Sequence, residues 1–475
     1  MLKKEAHTVS NSTQITMNKP WSKYITMLVS YFAILIVLSM NTPVYPSLSA
    51  EFGISSALIS WSSAAYSMSA AILAPIMGRL GDLFGLKRIT IFGLVDFVIA
   101  SALIAVGPNY WIVLVGRFLQ GIAVASVVPC LMSFAGRFIP SKDIAKAYSL
   151  LGGVATCATI FGPTLSGLIV ANLGWRAVFG LGSGFVALAT VLVFIMLPRI
   201  PKAAQVQVKF DIPGSVALFF SVGALLTIPT LANQIGWASM PILVLAIVFV
   251  VFLALFIARE RKTDAPVVKL SLFKQRKFII PALLFFALNG FTNVWMYTIS
   301  YYFAGRGISS TTNGLWMSFV FVIMTAAAVL VSRMLSTLNW KICAFVPVIV
   351  NAIACCVFGL CGKEAPIALL FVGGAFVGLS GAFNTPLPSG SAMDGISAAE
   401  QGSVSGTLRL MGDLGAPIFV AIFLPLLSSI GSVGGVPNYA AAFPKVSLLL
   451  LIAVAIMVVL AIFYPSHDPK QSRTE

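Results

Sequence analysis

The sequence predicts an all-α integral membrane protein with fourteen transmembrane helices. Three observations predict it. Of 475 residues, 59% are hydrophobic and 9% are charged, against roughly 25% charged in ordinary soluble domains. A soluble helix must turn part of its surface to water, so so apolar a chain needs lipid as solvent. The apolar residues gather in runs of about 20, the length of a spanning helix, where barrel strands alternate over about ten. Finally, the basic residues crowd into alternate connecting segments.

The spans expected in chain order are 24–45, 57–77, 89–107, 112–134, 147–171, 177–197, 213–232, 240–258, 278–302, 314–332, 343–361, 366–387, 403–429 and 446–464. They divide the chain into an N-terminal tail (1–23), a six-helix half (24–197), basic linkers with a central helical hairpin (198–277), a second six-helix half (278–464) and a tail (465–475). The first twenty residues are polar and carry Lys3, Lys4 and Lys19, so no cleavable leader is expected. With the N-terminus inside, the cytoplasmic segments hold 24 of the 30 Lys and Arg. The external loops hold Arg176, Arg306, Lys363 and Lys445, and only Arg117 and Arg409 fall inside spans. This bias orients both termini to the cytoplasm. The net charge of +16 is therefore a topology signal, and no nucleic-acid partner is expected. The most basic segment, Arg259–Lys277, is expected to lie along the inner headgroups as an orientation anchor.

Cofactor chemistry finds no support. Five cysteines (Cys130, Cys157, Cys343, Cys355 and Cys356) fall in spans and Cys361 ends one, without metal-ligand spacing, so buried packing is expected for them. His7 and His467 lie in the tails, which excludes an embedded histidine relay. No Gly-x4-Gly-Lys-Ser/Thr loop occurs, so direct ATP coupling is unsupported. The chain is expected to bind no metal or cofactor and to be no enzyme.

Between spans 2 and 3 the chain reads Gly78-Arg79-Leu80-Gly81-Asp82-Leu83-Phe84-Gly85-Leu86-Lys87-Arg88. The glycines permit a tight turn close to neighbouring helix ends. Asp82 can accept hydrogen bonds from a helix N-terminus, and Lys87 and Arg88 can form charge pairs that break as the halves rock. This run resembles the cytoplasmic loop signature of the major facilitator superfamily. Span 4 continues with Gly116-Arg117-Phe118-Leu119-Gln120-Gly121, similar to that family's Arg-x-x-Gln-Gly element. Arg117, Gln120 and Gly121 share a helical face. A charge at the bilayer centre costs roughly 2.5–3.5 kcal/mol, so Arg117 should face the protein interior. The resemblance implies that Arg117 assists proton transfer; pairing with helix ends or carbonyls is the alternative.

In span 5, Gly162-Pro163-Thr164-Leu165-Ser166-Gly167 resembles the antiporter motif, with Ser166 and Ala158 where glycines are usual. Proline bends the helix and glycine admits a close neighbour. Gly174-Trp175-Arg176, Phe210-Asp211-Ile212-Pro213-Gly214 and the stretch from Pro266 to Phe273 are similar to the fourteen-helix drug:proton antiporter branch. The resemblance covers roughly residues 24–430 and implies a major facilitator fold of two six-helix bundles with a two-helix central hairpin. Two signatures are eroded: the second-half loop around Ser332–Lys341, and span 1, where an acid is usual but Val37–Pro43 has none.

Twelve of the 14 acidic residues lie in tails, loops or span ends; Asp96 and Asp413 lie well inside spans. Lipid disfavours a charged carboxylate, so proton coupling is assigned to Asp413, Asp96 and Arg117. Asp96 and Arg117 differ too much in depth to pair. Arg409 precedes Asp413 by one turn, and a pair there would keep Asp413 ionised and structural. Gating is assigned to Gly78, Asp82, Gly85, Lys87, Arg88, Gln120, Gly121, Gly162, Pro163, Gly167 and Arg409. A central pocket is expected from Asn41, Tyr66, Asn289, Asn293, Trp295, Tyr297 and Asn384, with Tyr45, Tyr301 and Tyr302 nearby, unless these aromatics merely belt the outer interface.

The expected function is export of small amphipathic compounds in exchange for protons, by alternating access, from a monomer in a bacterial plasma membrane. The partners are thus a small-molecule substrate, protons and the lipid bilayer. A dedicated exporter of one metabolite, siderophore or peptide is the alternative; a non-transporting sensor and proton-coupled uptake are others.

Overall fold

A computed structural model describes residues 19–140, 143–198, 211–263, 270–362, 364–394, 401–430 and 438–466. The two histidines, Phe210 and Pro266 lie outside the described residues. The first group of helices is α1 (Pro20–Ser39), α2 (Tyr45–Phe52), α3 (Ser56–Phe84), α4 (Leu86–Val106), α5 (Tyr110–Phe138), α6 (Ile144–Leu173) and α7 (Trp175–Met196). Helices α8 (Ile212–Ile235) and α9 (Met240–Glu260) form a hairpin. The second group is α10 (Arg276–Gly305), α11 (Ser310–Thr337), α12 (Trp340–Gly359), α13 (Ile367–Gly381), α14 (Pro386–Met393), α15 (Gln401–Ile430) and α16 (Tyr439–Ile462).

Among the described residues, 12 helices are long and apolar enough to cross a membrane, counting α1 with α2 and α13 with α14 as one each. Helix α3 is not among them, and α8 contributes only the shorter apolar stretch Pro213–Leu225. This measure does not reach the expected fourteen. Ser60, Ser62 and Ser69 on α3 and Ser215 and Ser221 on α8 are buried against neighbours, and at 29 and 24 residues both helices are long enough to span. The expected first span is also broken. Helix α1 stops at Ser39, and a 3-10 turn over Thr42–Val44 leads into α2. Pro43 and Pro46 sit there and cannot donate to the helical ladder.

Local chemistry sets the helix ends. Ser55, Asn109, Asp211, Ser309, Asn339 and Asn438 each accept a bond from a backbone N–H of the first turn, as capping residues do. The turn between α3 and α4 is a single residue, Gly85, at φ 99, a conformation a Cβ makes costly. Within the first group, α5 packs on α3 and α4, α4 on α7, and α1 on α6 and α7. Within the second, α10 packs on α15 and α16, α12 on α13 and α16, and α11 on α13. The groups meet through α6 with α11 and α3 with α15, and α8 lies against α3 and α15. Large apolar side chains such as Ile99, Leu188, Ile247 and Ile456 stand exposed, the surface a bilayer covers. Cys157 and Cys356 are exposed as well, which corrects the expectation that the cysteines are buried. As a small apolar group, cysteine loses nothing by facing lipid.

Candidate transport site

We call the end at which α1 starts proximal and the opposite end distal. The groups are joined at the distal side by close backbone contacts. A Cβ on Gly167 would collide with the Ser310 carbonyl oxygen, and one on Gly314 with that of Pro163. Only glycine permits this approach of α6 to α11. Thr164 Oγ1 donates to Ser318 Oγ at 2.6 Å across the seam. Further along, the rings of Tyr45 and Tyr297 stack at 5.0 Å and the hydroxyls of Ser49 and Tyr301 share a 2.6 Å bond. Gly162 sits one turn away against Ser39 of α1, and Ser166 Oγ donates to the Met40 carbonyl at 2.6 Å. The serine that departs from the usual glycine thus ties the bent helix to the end of α1.

On the proximal side, described side chains of α6 and α15 stand exposed. From Tyr148 to Gly153 the side of α6 is exposed or half-buried, and nothing approaches a Cβ within 4 Å at Gly152 or Gly153. Arg409 lies eight residues into α15, roughly 12 Å along the helix, yet its side chain is 70% exposed. Its Nε donates to Asp413 Oδ2 at 2.9 Å, and Asp413 is 37% exposed. Tyr31 of α1 and Tyr66 of α3 are electrostatic neighbours of this pair. The pair thus faces a space between the two groups, closed distally.

Arg117 is 4% exposed, as its cost in lipid requires. Its Nε donates to the Ser62 carbonyl at 3.3 Å, its Nη1 donates to Gln120 Oε1 at 2.6 Å, and its guanidinium lies 5.0 Å from the Tyr66 ring centroid. Gln120 passes the chain on to Ser101 Oγ at 3.0 Å. Gly121 lets α5 press on Ser69 and Tyr66 of α3. Arg117 is thus bonded to one backbone carbonyl and one side-chain amide oxygen.

Asp96 stands apart from all of these groups. It is half-buried at the edge of the lipid-facing side of α4, with Oδ2 buried and without a hydrogen-bond partner. No bond or ion pair joins it to Arg117 among the described residues.

The expected central pocket divides. Asn289 and Asn293 are half-buried; Asn289 Nδ2 donates to the Gly412 carbonyl at 2.8 Å and Asn293 Nδ2 to Asn289 Oδ1 at 3.1 Å. Trp295 is 1% exposed among Phe291, Phe358 and Phe443, deep within the second group. Asn384 is buried and donates to Thr292 Oγ1, and Asn41 donates to the Val37 and Leu38 carbonyls. Both leave their Oδ1 unpartnered. Tyr301 and Tyr302 are fully buried, so neither belts an interface.

The loop between α3 and α4 differs in detail from expectation. Asp82 pairs with Arg137 at the end of α5, where a helix N-terminus was expected. Lys87 Nζ donates to the Phe194 carbonyl at 2.8 Å near the end of α7, so it caps that helix in place of a carboxylate partner. Gly78 packs on Pro129 of α5. At the distal end, Trp175 Nε1 donates to Glu51 Oε2 at 2.6 Å and Arg176 pairs with the same carboxylate. Glu51, Tyr31, Ser62, Ser101, Gly314 and Ser318 were missed by sequence reasoning. For Ser62, Ser101, Ser318 and Glu51 the bonding partners lie 19 to 154 residues away in the chain.

A family model described as Major Facilitator Superfamily matches residues 27–213. The whole chain also superposes on a bacterial homolog of the human lysosomal transporter Spinster, in an inward-facing and occupied conformation, with a TM-score of 0.69 over 94% of this chain and 97% of that one. The match covers the first group of helices, and the chain as a whole has the major facilitator fold. Identity to that structure is 12%, so it speaks for the fold alone. The chain is 26% identical over 410 residues to the multidrug resistance protein Stp of Mycobacterium tuberculosis (strain CDC 1551 / Oshkosh), covering 84% of this chain and 74% of Stp. It is 28% identical over 369 residues to the methylenomycin A resistance protein of Bacillus subtilis (strain 168), covering 77% and 78%. It is a multi-pass membrane transporter, not an enzyme.

Proposed function

We propose that this facilitator is a secondary active exporter of small amphipathic compounds, coupled to proton influx by alternating access. The observation that carries the reading is the contrast between its two ends. The Gly162–Gly167 run forms a distal seam with backbone-close packing, while a charged pair in mid-helix stands open to the proximal side. This is one access state of a two-state transporter, biased as an exporter requires when it waits for substrate from the cell. The basic bias of the proximal loops supports a cytoplasmic proximal end, with both termini inside. The bacterial relatives support a bacterial plasma membrane, and a route through a single chain supports a monomer. The α8–α9 helices and α3 are read as the remaining spans of a fourteen-helix topology, with the six-helix halves at 24–197 and 278–464.

Proton coupling rests on the two embedded carboxylates, which differ in setting. Asp413 is held by Arg409, whereas Asp96 has a buried oxygen without a partner. A carboxylate in lipid with no cation against it is the better proton acceptor, so Asp96 is the exchanging acid and Arg117 acts through the Gln120–Ser101 link to α4. In proteoliposomes with an imposed pH gradient, Asp96→Asn should abolish gradient-driven movement of an amphipathic dye. Asp413→Asn should lower the rate yet leave it gradient-dependent. Equal gradient dependence in wild type and Asp96→Asn would remove Asp96 from the proposal. One relative is named for resistance to a single compound, methylenomycin A, which favours a dedicated exporter as the second reading; a narrow substrate range in the same assay would select it.

A further inference from the structure

The charges inside the spans point to the class of substrate. The central space is bordered by Arg409 and Asp413, and Arg117 lies behind the Tyr66 ring. Two cations and one carboxylate leave the site with an excess of one positive charge. That single carboxylate is already engaged by the Arg409 Nε. Span 1 carries no acid between Val37 and Pro43, and Asn41 there turns its amide nitrogen to the Val37 and Leu38 carbonyls. A cationic substrate would have to take Asp413 from Arg409 and then sit beside two arginines. An anion meets the opposite situation. A guanidinium has five N–H donors arranged as a fork that fits a carboxylate. Among the described residues Arg409 is bonded to Asp413 alone, through Nε, and 70% of its side chain is open to the space.

We propose that the facilitator takes amphipathic anions, a carboxylate above all, with the free edge of the Arg409 guanidinium as the anion ligand. Asp413 is then a positioning residue that holds Nε and aims the fork into the space, while the half-buried Tyr66 offers ring surface to the apolar part. The inference rests on the exporter reading and deepens it. An anion that leaves an inside-negative cell moves with the membrane potential, so exchange for a proton would draw on both the potential and the pH gradient.

The test separates the two readings by measuring binding without any gradient and transport with one. Two probes share a skeleton and differ in charge: 1-pyrenebutyrate and (1-pyrenylbutyl)trimethylammonium. Protein in phosphatidylcholine nanodiscs, free of anionic lipid, should bind the carboxylate at least about tenfold tighter than the ammonium, a difference of about 1.4 kcal/mol. Arg409→Gln should lose about tenfold or more for the carboxylate and gain for the ammonium. Arg409→Lys should recover most of the loss, and Asp413→Asn should weaken the carboxylate with partial recovery in Asp413→Glu. Adding phosphatidylglycerol to the discs should compete with pyrenebutyrate only if a lipid headgroup is the natural anion, which would replace a soluble carboxylate in the proposal. Equal or tighter binding of the ammonium probe by wild type overturns the inference even if Arg409→Gln does not fold. So does unchanged carboxylate binding in an Arg409→Gln protein of wild-type melting temperature. In proteoliposomes, an imposed potential should speed carboxylate export and leave a one-for-one ammonium–proton exchange unaffected. Tight carboxylate binding with no gradient-driven movement of either probe would sink the exporter reading while keeping the anion site.

Discussion

At the scale of the residue, the chemistry lies in charges that the fold cannot hide cheaply. Arg117 is stabilised without a carboxylate, by Ser62, Gln120 and the Tyr66 face, and Arg409 keeps its charge by remaining in a water-reachable space. The glycines of the seam act through absence of volume. Replacing Gly314 by valine would put side-chain atoms into the Pro163 backbone, and overpacking of this kind costs about 1–3 kcal/mol. Because the strain falls on the closed distal state alone, Gly314→Val should lower the transport rate at least about tenfold while the melting temperature in detergent drops little; an unchanged rate would show that the seam does not open and close. Much of this scale was legible beforehand. Arg117, Gln120, Gly162, Pro163 and the Arg409–Asp413 turn are local patterns, visible from spacing within one helix. Gly314, Ser318, Tyr31 and Glu51 were not, because each matters only through a helix distant in the chain. Cysteine type could not tell lipid from core either, since both are apolar, and so Cys157 and Cys356 were misplaced.

At the scale of the element, helix positions and ends follow from apolar runs and capping residues, while helix continuity does not. The break between α1 and α2 depends on Pro43 and Pro46 together with the Ser166 bond to Met40, a tertiary contact. The α8–α9 hairpin shows how few polar atoms fix an element. Asp211, with no side-chain exposure, accepts from Arg259 Nε at 3.0 Å and from the Gly214 N–H at 3.2 Å, so one carboxylate both caps α8 and ties it to α9. Hydrogen bonds to charged groups contribute about 1.5–3 kcal/mol each way of counting. Asp211→Ala should therefore lower stability by about that amount, read as a lower melting temperature in detergent, with Asp211→Asn recovering the cap and not the ion pair. Wild-type stability in Asp211→Ala would mean that the apolar packing of Leu218, Val222 and Phe256 alone holds the hairpin.

At the scale of the whole molecule, the two groups of helices are in backbone contact at the distal seam while Arg409 and the proximal stretch of α6 stand exposed, and that asymmetry carries the transporter reading. The fold class was legible because lipid leaves so few solutions for a chain this apolar. The open end was not, because patterning reports which face of a helix is apolar and never whether its partner is in contact at a given moment. The central claim is exchange: substrate leaves as protons enter. The most direct measurement follows both at once, in proteoliposomes loaded with 1-pyrenebutyrate and an internal pH dye, with no gradient of protons imposed at the start. Exit of pyrenebutyrate down its own gradient should acidify the lumen, and an uncoupler should erase the acidification while leaving the exit. Alkalinisation of the lumen as the probe leaves would mean that proton and substrate travel together, and the exchange account would be wrong.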